Sequence, residues 1–449
     1  MSTLTTKRFR IQRTSRIPSP LRVTIRALVI VALLSAAGHY SVQAQSFTIL
    51  HSFTGGVDGA EPIGGLILDK AGNIYGTTSG GGLDGFCGSH DCGQVFKLAK
   101  HGSGWVLQSL HTFYGSPSDG SDPGTRLLIA PDGTLLGTTY FGGTGQNCDF
   151  GYGTGCGTAF SLRPPQTACK SASCPWVETV LYNFQGGHDG QHPASGLVMD
   201  AAGNLYGVNI NGGDGNPYGC VGFDGGCGVV YQLPPSQGGW TENVLYSFAD
   251  NGDSGNPAGD MVLDKFGNLY GTAQVGSGSP GAVFQVSRTG SGWTERVIQW
   301  LAASSDGGYP IGIISDSAGN LYGAAADQGP QNGGTVYELV PGSGGWSFDL
   351  LYAITGACCN PEGPSEAVMD AAGNVYGTTW AEGAYGKGSV FKLTPSSGGW
   401  TYTDLHDFTG GSDGQAPYGP LAIDGAGNIY GVVSHGTSGG SGAVFEITP

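Results

Sequence analysis

The sequence contains very little that predicts an α-helix. Beyond residue 44, no window of this 449-residue chain repeats its apolar side chains every 3.6 positions. That region has no second long hydrophobic run either, so it is expected to be soluble. The composition of the full chain is 39% hydrophobic and 10% aromatic, which excludes a disordered chain, and its 85 glycines follow no collagen triplet.

Known catalytic and cofactor motifs are also missing. The chain contains no Gly-x-Ser-x-Gly elbow, His-Glu-x-x-His helix motif, phosphate loop or dinucleotide fingerprint. No EF-hand loop or glycine-rich calcium nonapeptide is complete, so a Ca²⁺ site has no motif to support it. We therefore expect no cofactor, and nothing in the sequence identifies a metal.

The chain does contain one phrase repeated seven times. The segment 67–76 (ILDKAGNIYG) returns as 198–207 (VMDAAGNLYG) and, in a weaker form, near Gly133. The anchoring glycines are Gly72, Gly133, Gly203, Gly267, Gly319, Gly373 and Gly427, spaced 52 to 70 residues apart. Such a period indicates copies of one supersecondary unit.

Each copy holds four strand-length runs, named A to D here from the central channel outwards. In the first copy they are 65–69, 73–78, 94–98 and 105–113, all rich in β-branched and aromatic residues and separated by glycine-rich turns. Four antiparallel strands per repeat predict an all-β fold, the β-propeller, with one blade per repeat.

The two ends of the repeat region indicate how the ring closes. The seventh copy stops after strand C, whereas residues 45–53 resemble a strand D without a blade. We expect the N-terminal strand to complete the last blade, which removes an exposed sheet edge. The predicted blades are 62–113, 123–184, 193–248, 257–301, 310–354, 364–408, and 417–449 plus 45–53.

Residues 1–44 read as a secretory signal peptide. They hold seven basic and no acidic residues, then an apolar run over 27–37 and a small-residue pattern, Val42-Gln43-Ala44. A membrane anchor is the alternative, but the run is short for a bilayer. Without this segment, 11 basic and 34 acidic residues remain, a net charge of −23. This charge disfavours nucleic acid and anionic lipid as partners.

The ten cysteines fall into five close pairs in predicted loops. We predict local disulfides for Cys87–Cys92, Cys148–Cys156, Cys169–Cys174 and Cys220–Cys227, in an oxidising compartment. A zinc site is the alternative, because Cys-x4-Cys resembles half of one. Cys358 and Cys359 form a vicinal disulfide or pair elsewhere, and the sequence does not decide between the two.

The variable loops predict the functional face. The A–B and C–D turns are short and uniform, whereas the B–C loops and D–A connections vary and share the opposite face. The repeated Asp of the A–B turns and of the D–A connections is interpreted as turn chemistry. The repeated Trp that opens strand D is interpreted as packing between blades (Trp105, Trp176, Trp240, Trp293, Trp346, Trp400).

Five residues on this face depart from the repeat. Trp380, Glu382 and Tyr385 lie in the B–C loop of blade 6 and are candidate ligand contacts. His188 and His192 flank Asp189 in one D–A connection, where they are candidates for ligand binding, metal binding or acid–base chemistry. A binding site needs an asymmetry that a sevenfold scaffold lacks, so these departures point to it.

The repeats resemble a known family. The residues 73–78, 80–82, 95–98 and 405–414 match the pattern of the GloVer (Gloeobacter–Verrucomicrobium type) repeat, found in choice-of-anchor tandem repeat proteins. The resemblance covers the chain after residue 44 and implies a bacterial surface or secreted protein with no catalytic residues to carry over. A C-terminal anchor segment is not expected, since the chain ends at strand C. The Asp-x-x-Gly-Asn-x-Tyr core is also similar to NHL-type and streptogramin-lyase-like propellers.

Two functions follow as hypotheses. The first is a secreted, monomeric, non-catalytic propeller that binds a glycan, peptide or cell-wall component on its B–C/D–A face. The second is an extracellular lyase or hydrolase with a metal at the channel mouth. A cluster of non-repeating polar residues near the axis would favour the enzyme.

Overall fold

A computed structural model describes residues 45–82, 92–146, 148, 155–165, 176–215, 220, 225–236, 238–249, 251–276, 278–356 and 363–449. Over these ranges the regular elements are strands and one 3-10 turn, Gly187–Asp189, with no α-helix among them. The strands form seven antiparallel main sheets, which confirms the predicted seven-bladed β-propeller.

The strands of each blade follow the chain order A, B, C, D. Blade 1 consists of Leu66–Leu68, Ile74–Thr78, Gln94–His101 and Gly104–Thr112. Blade 2 consists of Leu128–Ile129, Leu135–Thr139, Thr158–Arg163 and Val177–Asn183. Blade 3 consists of Val198–Met199, Leu205–Asn211, Val229–Leu233 and Asn243–Ser247. Blade 4 consists of Gly255–Leu263, Leu269–Val275, Ala282–Thr289 and Gly292–Trp300.

The remaining blades repeat this pattern, and strands C and D are longest in blade 5. Blade 5 consists of Gly308–Ser315, Leu321–Asp327, Asn332–Gly342 and Gly345–Thr355. Blade 6 consists of Val368–Met369, Val375–Thr379, Ser389–Ser396 and Gly399–Asp407. Blade 7 takes strands A to C from Gln415–Ile423, Ile429–His435 and Ala443–Thr448. Short additional strands are Gly120–Ser121 with Phe141–Gly142, Pro235–Ser236 with Gly239–Trp240, and Gln191–Pro193 beside strand B of blade 3.

The N-terminal strand closes the ring as predicted. Ser46–Ser52 pairs antiparallel with Ala443–Thr448, from Ser46 opposite Thr448 to Ser52 opposite Ala443. Blade 7 thus has its outer strand from one end of the repeat region and its three inner strands from the other. This pairing covers the edge of strand C in blade 7, which would otherwise be exposed.

The hydrophobic core lies between the blades. Seven clusters of buried side chains each join one blade to the next, including a cluster of Phe53 and Tyr430 with Phe96 across the closure. The repeated Trp takes part in these interfaces, since the Trp105 ring lies 6.2 Å from that of Tyr430 in blade 7. The interpretation of the Trp set as packing between blades is therefore confirmed.

The repeated aspartates hold turns. Asp69 Oδ1 accepts hydrogen bonds from the backbone N–H groups of Ala71 and Asn73, and Oδ2 accepts from Asn73 Nδ2 and the Tyr75 hydroxyl. In the D–A connections, Asp58 likewise accepts from the Thr54 backbone N–H. Both sets of aspartate therefore act as turn residues, as the sequence predicted.

The glycine within strand B makes room for an aromatic ring of its own blade. Gly76 is paired with Phe96 of strand C, and a Cβ at Gly76 would lie 2.6 Å from the tip of the Phe96 ring. The ring folds back over the glycine of its own sheet because the two residues face each other in the ladder.

Two of the predicted disulfides lie within the described residues. Cys148–Cys156 and Cys220–Cys227 are bonded, with S–S distances of 2.04 and 2.08 Å. Cys92 is also disulfide-bonded. Cys87, Cys169, Cys174, Cys358 and Cys359 lie outside the described residues, so their pairing stays a prediction.

Removing the Cys220–Cys227 bond should loosen one face without unfolding the ring. The bond closes a short loop with a sequence separation of 7, so the chain-entropy treatment gives a loss of about 2–3 kcal/mol. We expect C220S/C227S to lower the unfolding temperature while hydrogen exchange speeds up mainly in residues 211–228. Faster exchange spread evenly over all seven blades would contradict this expectation.

Residues 1–44 lie outside the described residues, so the signal peptide also stays a prediction. None of the residues that the structure does describe belongs to a helix with the length and apolarity that a membrane span requires.

Candidate functional site

A cavity of about 780 Å³ occupies the mouth of the central channel on the face of the B–C loops and D–A connections. Its walls come from residues at or just before the start of strand A in all seven blades. Blades 3 to 6 also contribute a residue from the end of strand B (Ile210, Gln274, Ala326, Trp380). The side chains that give the cavity its chemistry are Arg126, Asp260, Gln274, Tyr309, Glu366, Trp380 and Tyr418.

Charged side chains from three non-adjacent blades meet at the floor of this cavity. Arg126 of blade 2 forms an ion pair with Asp260 of blade 4, with 2.7 Å between Nε and Oδ2. Glu366 of blade 6 accepts a hydrogen bond from the Asp260 backbone N–H at 2.8 Å. The other Asp260 oxygen, Oδ1, accepts from the Gly196 N–H at 2.8 Å. These three charged residues therefore interact across the channel axis, and we call them the axial triad (Arg126, Asp260, Glu366).

The axial triad divides the channel into two cavities. Arg126, Gly196 and Asp260 also line a second cavity of about 530 Å³, on the side of the A–B turns. The other residues of that second cavity are apolar strand A side chains such as Leu128 and Met199. The polar groups thus belong to the mouth side, and a ligand entering there would meet them first.

The environment of the triad favours the protonated form of Glu366. Burial, together with the nearby Asp260 carboxylate, raises the pKa of Glu366 to about 8, although Arg126 lowers it in part. The Asp260 carboxylate in turn raises the pKa of the Arg126 guanidinium, which stays charged. The floor therefore combines the Arg126 guanidinium with two carboxyl groups, of which Glu366 is the one with the raised pKa.

Three exposed aromatic side chains surround the mouth of the cavity. Trp380 is 39% exposed, Tyr309 38% and Tyr418 44%, all unusually high for such large apolar rings. Trp380 follows strand B of blade 6, whereas the two tyrosines lie near the start of strand A in blades 5 and 7. Burial, and to a lesser extent Glu366, raises the pKa of Tyr418, so its hydroxyl stays a hydrogen-bond donor.

The five residues selected from the sequence do not converge. Trp380 lines the cavity, but Tyr385 is 62% exposed on the B–C loop of blade 6. The Glu382 side chain is close to Gly356 of the preceding blade. His188 is exposed, and its Nδ1 lies 2.7 Å from Asp214 Oδ2. Four of the five therefore lie outside the cavity, and their role in binding stays a prediction.

His192 is a packing residue in this structure. Its side chain is 1% exposed and its ring stacks on Tyr140 with 4.6 Å between centroids. Burial lowers the pKa of His192 to about 4, so the imidazole is neutral at physiological pH. The φ of 60° at His192 is a feature of the repeat. Residues at the equivalent position of other blades, such as Asp122 and Asn256, also precede a proline and also have a positive φ. A ligand could reach His192 only after the Tyr140 ring moved.

Sequence reasoning missed the axial triad, although the repeat alignment contains a signal for it. The residue four positions before the Asp of the A–B turn (Ala130 in blade 2) is Gly65, Gly196, Gly312 or Pro420 in four blades, and Arg126, Asp260 or Glu366 in the others. A repeat position that alternates between small and charged residues is typical of a place where side chains from several repeats occupy one common space. The alignment does not show that blades 2, 4 and 6 bring these three side chains together at the channel axis.

Comparison with solved structures supports the fold alone. The chain is similar to a streptogramin B lyase, with a TM-score of 0.54, 14% identity, and 90% of this chain and 97% of that chain covered. It is also similar to virginiamycin B lyase from Staphylococcus aureus, with a TM-score of 0.52, 13% identity, and coverage of 90% and 99%. A third likeness is to PorZ, a surface component of the type-IX secretion system of Porphyromonas gingivalis, with a TM-score of 0.50, 12% identity, and coverage of 86% and 46%.

A search among curated protein sequences found no match. The family model of the Gloeobacter/Verrucomicrobia repeat, in contrast, matches four times, over residues 37–221, 88–300, 148–360 and 276–449. These overlapping matches extend over the whole propeller and agree with the sevenfold phrase in the sequence. The chain belongs to the Gloeobacter/Verrucomicrobia repeat family.

Proposed function

We propose that this protein is a non-catalytic binding protein that takes a short glycan into the cavity at the channel mouth. The observation that carries the proposal is the placing of three exposed aromatic rings around a charged floor. A volume of about 780 Å³ lies in the range of small-molecule sites. The cavity also occupies positions at which the blades differ from one another, which provides the asymmetry that specific recognition needs.

The chemistry of the cavity suits a sugar better than a purely apolar ligand. The apolar faces of Trp380, Tyr309 and Tyr418 can cover the C–H face of a pyranose ring. The hydroxyl groups of such a ring both donate and accept hydrogen bonds. The Arg126 guanidinium donates, the Asp260 carboxylate accepts, and a protonated Glu366 can do both. An apolar ligand would make no use of the hydrogen-bonding capacity that these floor groups retain beyond their mutual contacts.

The proposal places the protein outside the cytoplasm. Two disulfides within the described residues support an oxidising compartment. The basic and then apolar segment over residues 1–44 supports export. The excess of acidic residues over the rest of the chain makes a neutral glycan a better partner than an anionic polymer.

Replacing Trp380 by Ala should weaken glycan binding by about 30-fold, equivalent to about 2 kcal/mol, because a stacked aromatic ring in a pocket typically contributes that much. A glycan array would first select the ligand, and calorimetric titration would then give Kd for each variant. Since Trp380 is 39% exposed, its loss should leave the unfolding temperature nearly unchanged.

Phe266→Ala is the matched control for Trp380→Ala. Phe266 is 78% exposed on the A–B turn of blade 4, on the opposite face of the ring. We expect F266A to bind the selected glycan like the wild type. Equal loss of binding in both variants, or wild-type affinity in W380A, would show that the cavity is not the glycan site.

A second candidate function, a lyase or hydrolase, is favoured by one observation. The axial triad is a group of non-repeating polar residues near the axis, and Glu366 can supply a proton at neutral pH. Of the described residues, the three metal-capable side chains that come close together lie between blades 1 and 2 and not at the mouth. Incubating the protein with the selected glycan and analysing products by mass spectrometry separates the two functions. Product that forms with the wild type and not with E366Q would replace the binding proposal by an enzymatic one.

A further inference from the structure

Each contact between neighbouring blades has the same three positions in its outer layer. The first is the residue six positions after the strand D Trp, and the second is the Asp of the following D–A connection. The third is the residue two positions after the Trp of the next blade. Between blades 1 and 2 these positions hold His111, Asp119 and Glu178. One ligand atom from each of the three side chains lies within 4.8 Å of the others.

Each of the other blade contacts lacks at least one of the three donors. Between blades 2 and 3, Tyr182 replaces the His, and its hydroxyl donates to Asp189 at 3.0 Å beside Glu242. Tyr246 does the same for Asp253 between blades 3 and 4. Between blades 6 and 7, His406 Nε2 lies 3.4 Å from Asp413 Oδ2, but the third position is Phe47, whose ring centroid lies 3.9 Å from that of His406.

At the contact between blades 1 and 2, neighbouring groups fix the His and the Asp, while the Glu has a buried oxygen without a hydrogen-bond partner among the described residues. Nε2 of His111 lies 3.1 Å from Asp119 Oδ2, and Asp119 is only 6% exposed. The backbone N–H groups of Tyr114 and Gly120 donate to the Asp119 carboxylate and fix its orientation. Within the described part of the chain, Oε1 of Glu178 is buried and accepts no hydrogen bond. A buried acceptor of this kind costs free energy unless a cation or donor satisfies it.

We propose that His111, Asp119 and Glu178 bind a divalent transition-metal ion of the Zn²⁺ class, which links blade 1 to blade 2. The ligand atoms are His111 Nε2 and one carboxylate oxygen from each acid, and a water molecule takes the fourth position. An imidazole nitrogen in the set favours Zn²⁺ or Co²⁺ over Ca²⁺, which prefers oxygen ligands in larger number. Metal binding requires a lone pair on Nε2, so the ring proton lies on Nδ1.

Titration of Zn²⁺ into the EDTA-dialysed, disulfide-intact protein tests this site. We expect one equivalent to bind, Co²⁺ to give a visible spectrum with an imidazole ligand, and Ca²⁺ not to compete. His111→Tyr installs the residue that the next two contacts contain naturally, so it should fold and lose the site. Glu178→Gln should weaken Zn²⁺ binding at least 10-fold, while Glu242→Gln, the same change at the next contact, should have no effect.

A reciprocal variant tests whether the donor set is sufficient. Tyr182→His places an imidazole beside Asp189 and Glu242, so the number of bound Zn²⁺ equivalents should rise from one to two. Absence of stoichiometric Zn²⁺ binding by the wild type would overturn the proposal. So would unchanged binding in both H111Y and E178Q, or a stoichiometry that stays at one in Y182H. Each of these readouts is independent of glycan binding.

Discussion

A chain that begins at residue 54 is expected to lose cooperative unfolding, because blade 7 then lacks its outer strand. Phe53 is fully buried, and the ring centroid of Phe47 lies 5.5 Å from that of Phe445 in strand C. Removing one buried Phe side chain typically costs about 3–5 kcal/mol. The deletion also exposes the edge of Ala443–Thr448, so the total loss is comparable with the roughly 5–15 kcal/mol that stabilises a whole domain. Circular dichroism with thermal and urea unfolding would measure the effect.

Moving the strand to the other end of the chain is the matched control. In blade 6, Ser396–Gly399 joins strand C to strand D, and Thr394 pairs with Thr401 as Thr448 pairs with Ser46. A Ser-Ser-Gly-Gly turn between Pro449 and residues 45–53 should therefore restore most of the stability. If the truncated chain unfolds like the wild type, or if the relocated strand fails to restore it, the closure argument is wrong.

Arg126→Met is expected to destabilise the protein by about 3 kcal/mol at neutral pH. The substitution removes the cation from a largely buried ion pair and leaves Asp260, with a side chain only 10% exposed, beside Glu366. Removal of one partner of a buried pair typically costs about 3–5 kcal/mol, and the lower end applies because a third of the Arg126 side chain is exposed. Urea unfolding of both proteins, fitted with one common m value, would give the difference in the free energy of unfolding.

The loss caused by Arg126→Met should grow with pH. Burial raises the pKa of Glu366 from an ordinary 4.5 to about 8, so the folded state retains a proton that the unfolded state releases, and stability falls as pH rises between these values. Arg126 opposes that rise, so its removal raises the pKa of Glu366 further. The deficit of R126M should therefore be larger at about pH 9 than at about pH 6.

The double variant R126M/D260N separates the charge effect from packing. It removes both charges of the pair, and the Asn oxygen can still accept from the Gly196 N–H. We expect it to be more stable than R126M alone, since replacing both partners avoids the unpaired buried charge. A double variant that is less stable than the single one, or a deficit independent of pH, would contradict this account of the triad.

Much of the scaffold could be read from the sequence because each repeat is a local unit. The Asp, Asn and Tyr of a phrase such as 69–75 hydrogen-bond to one another within six residues, so the A–B turn depends on adjacent residues alone. The Trp that opens strand D recurs with the period of the blades, which made packing between blades the better interpretation of Trp105. The count of seven blades and the closing strand Ser46–Ser52 follow from the same periodicity.

The selection of site residues was less successful because departure from a repeat does not distinguish a ligand contact from altered packing. His192 departs from its column, yet it fills a space beside Tyr140. Trp380 departs in the same way and faces the cavity. The direction of a side chain at the end of a strand depends on what the neighbouring blade presents to it, and a single repeat does not contain that information.

The sequence by itself determined the blade, the number of blades and the way the ring closes, since these depend on hydrogen bonds and apolar patterns within one period or between adjacent periods. Only the tertiary structure decided that Arg126, Asp260 and Glu366 meet, because they come from blades that are never neighbours along the chain. It also decided that His111, Asp119 and Glu178 converge, since Glu178 arrives from the next blade. Closure of the ring places side chains from distant repeats next to one another. A pattern within one repeat contains no information about these contacts.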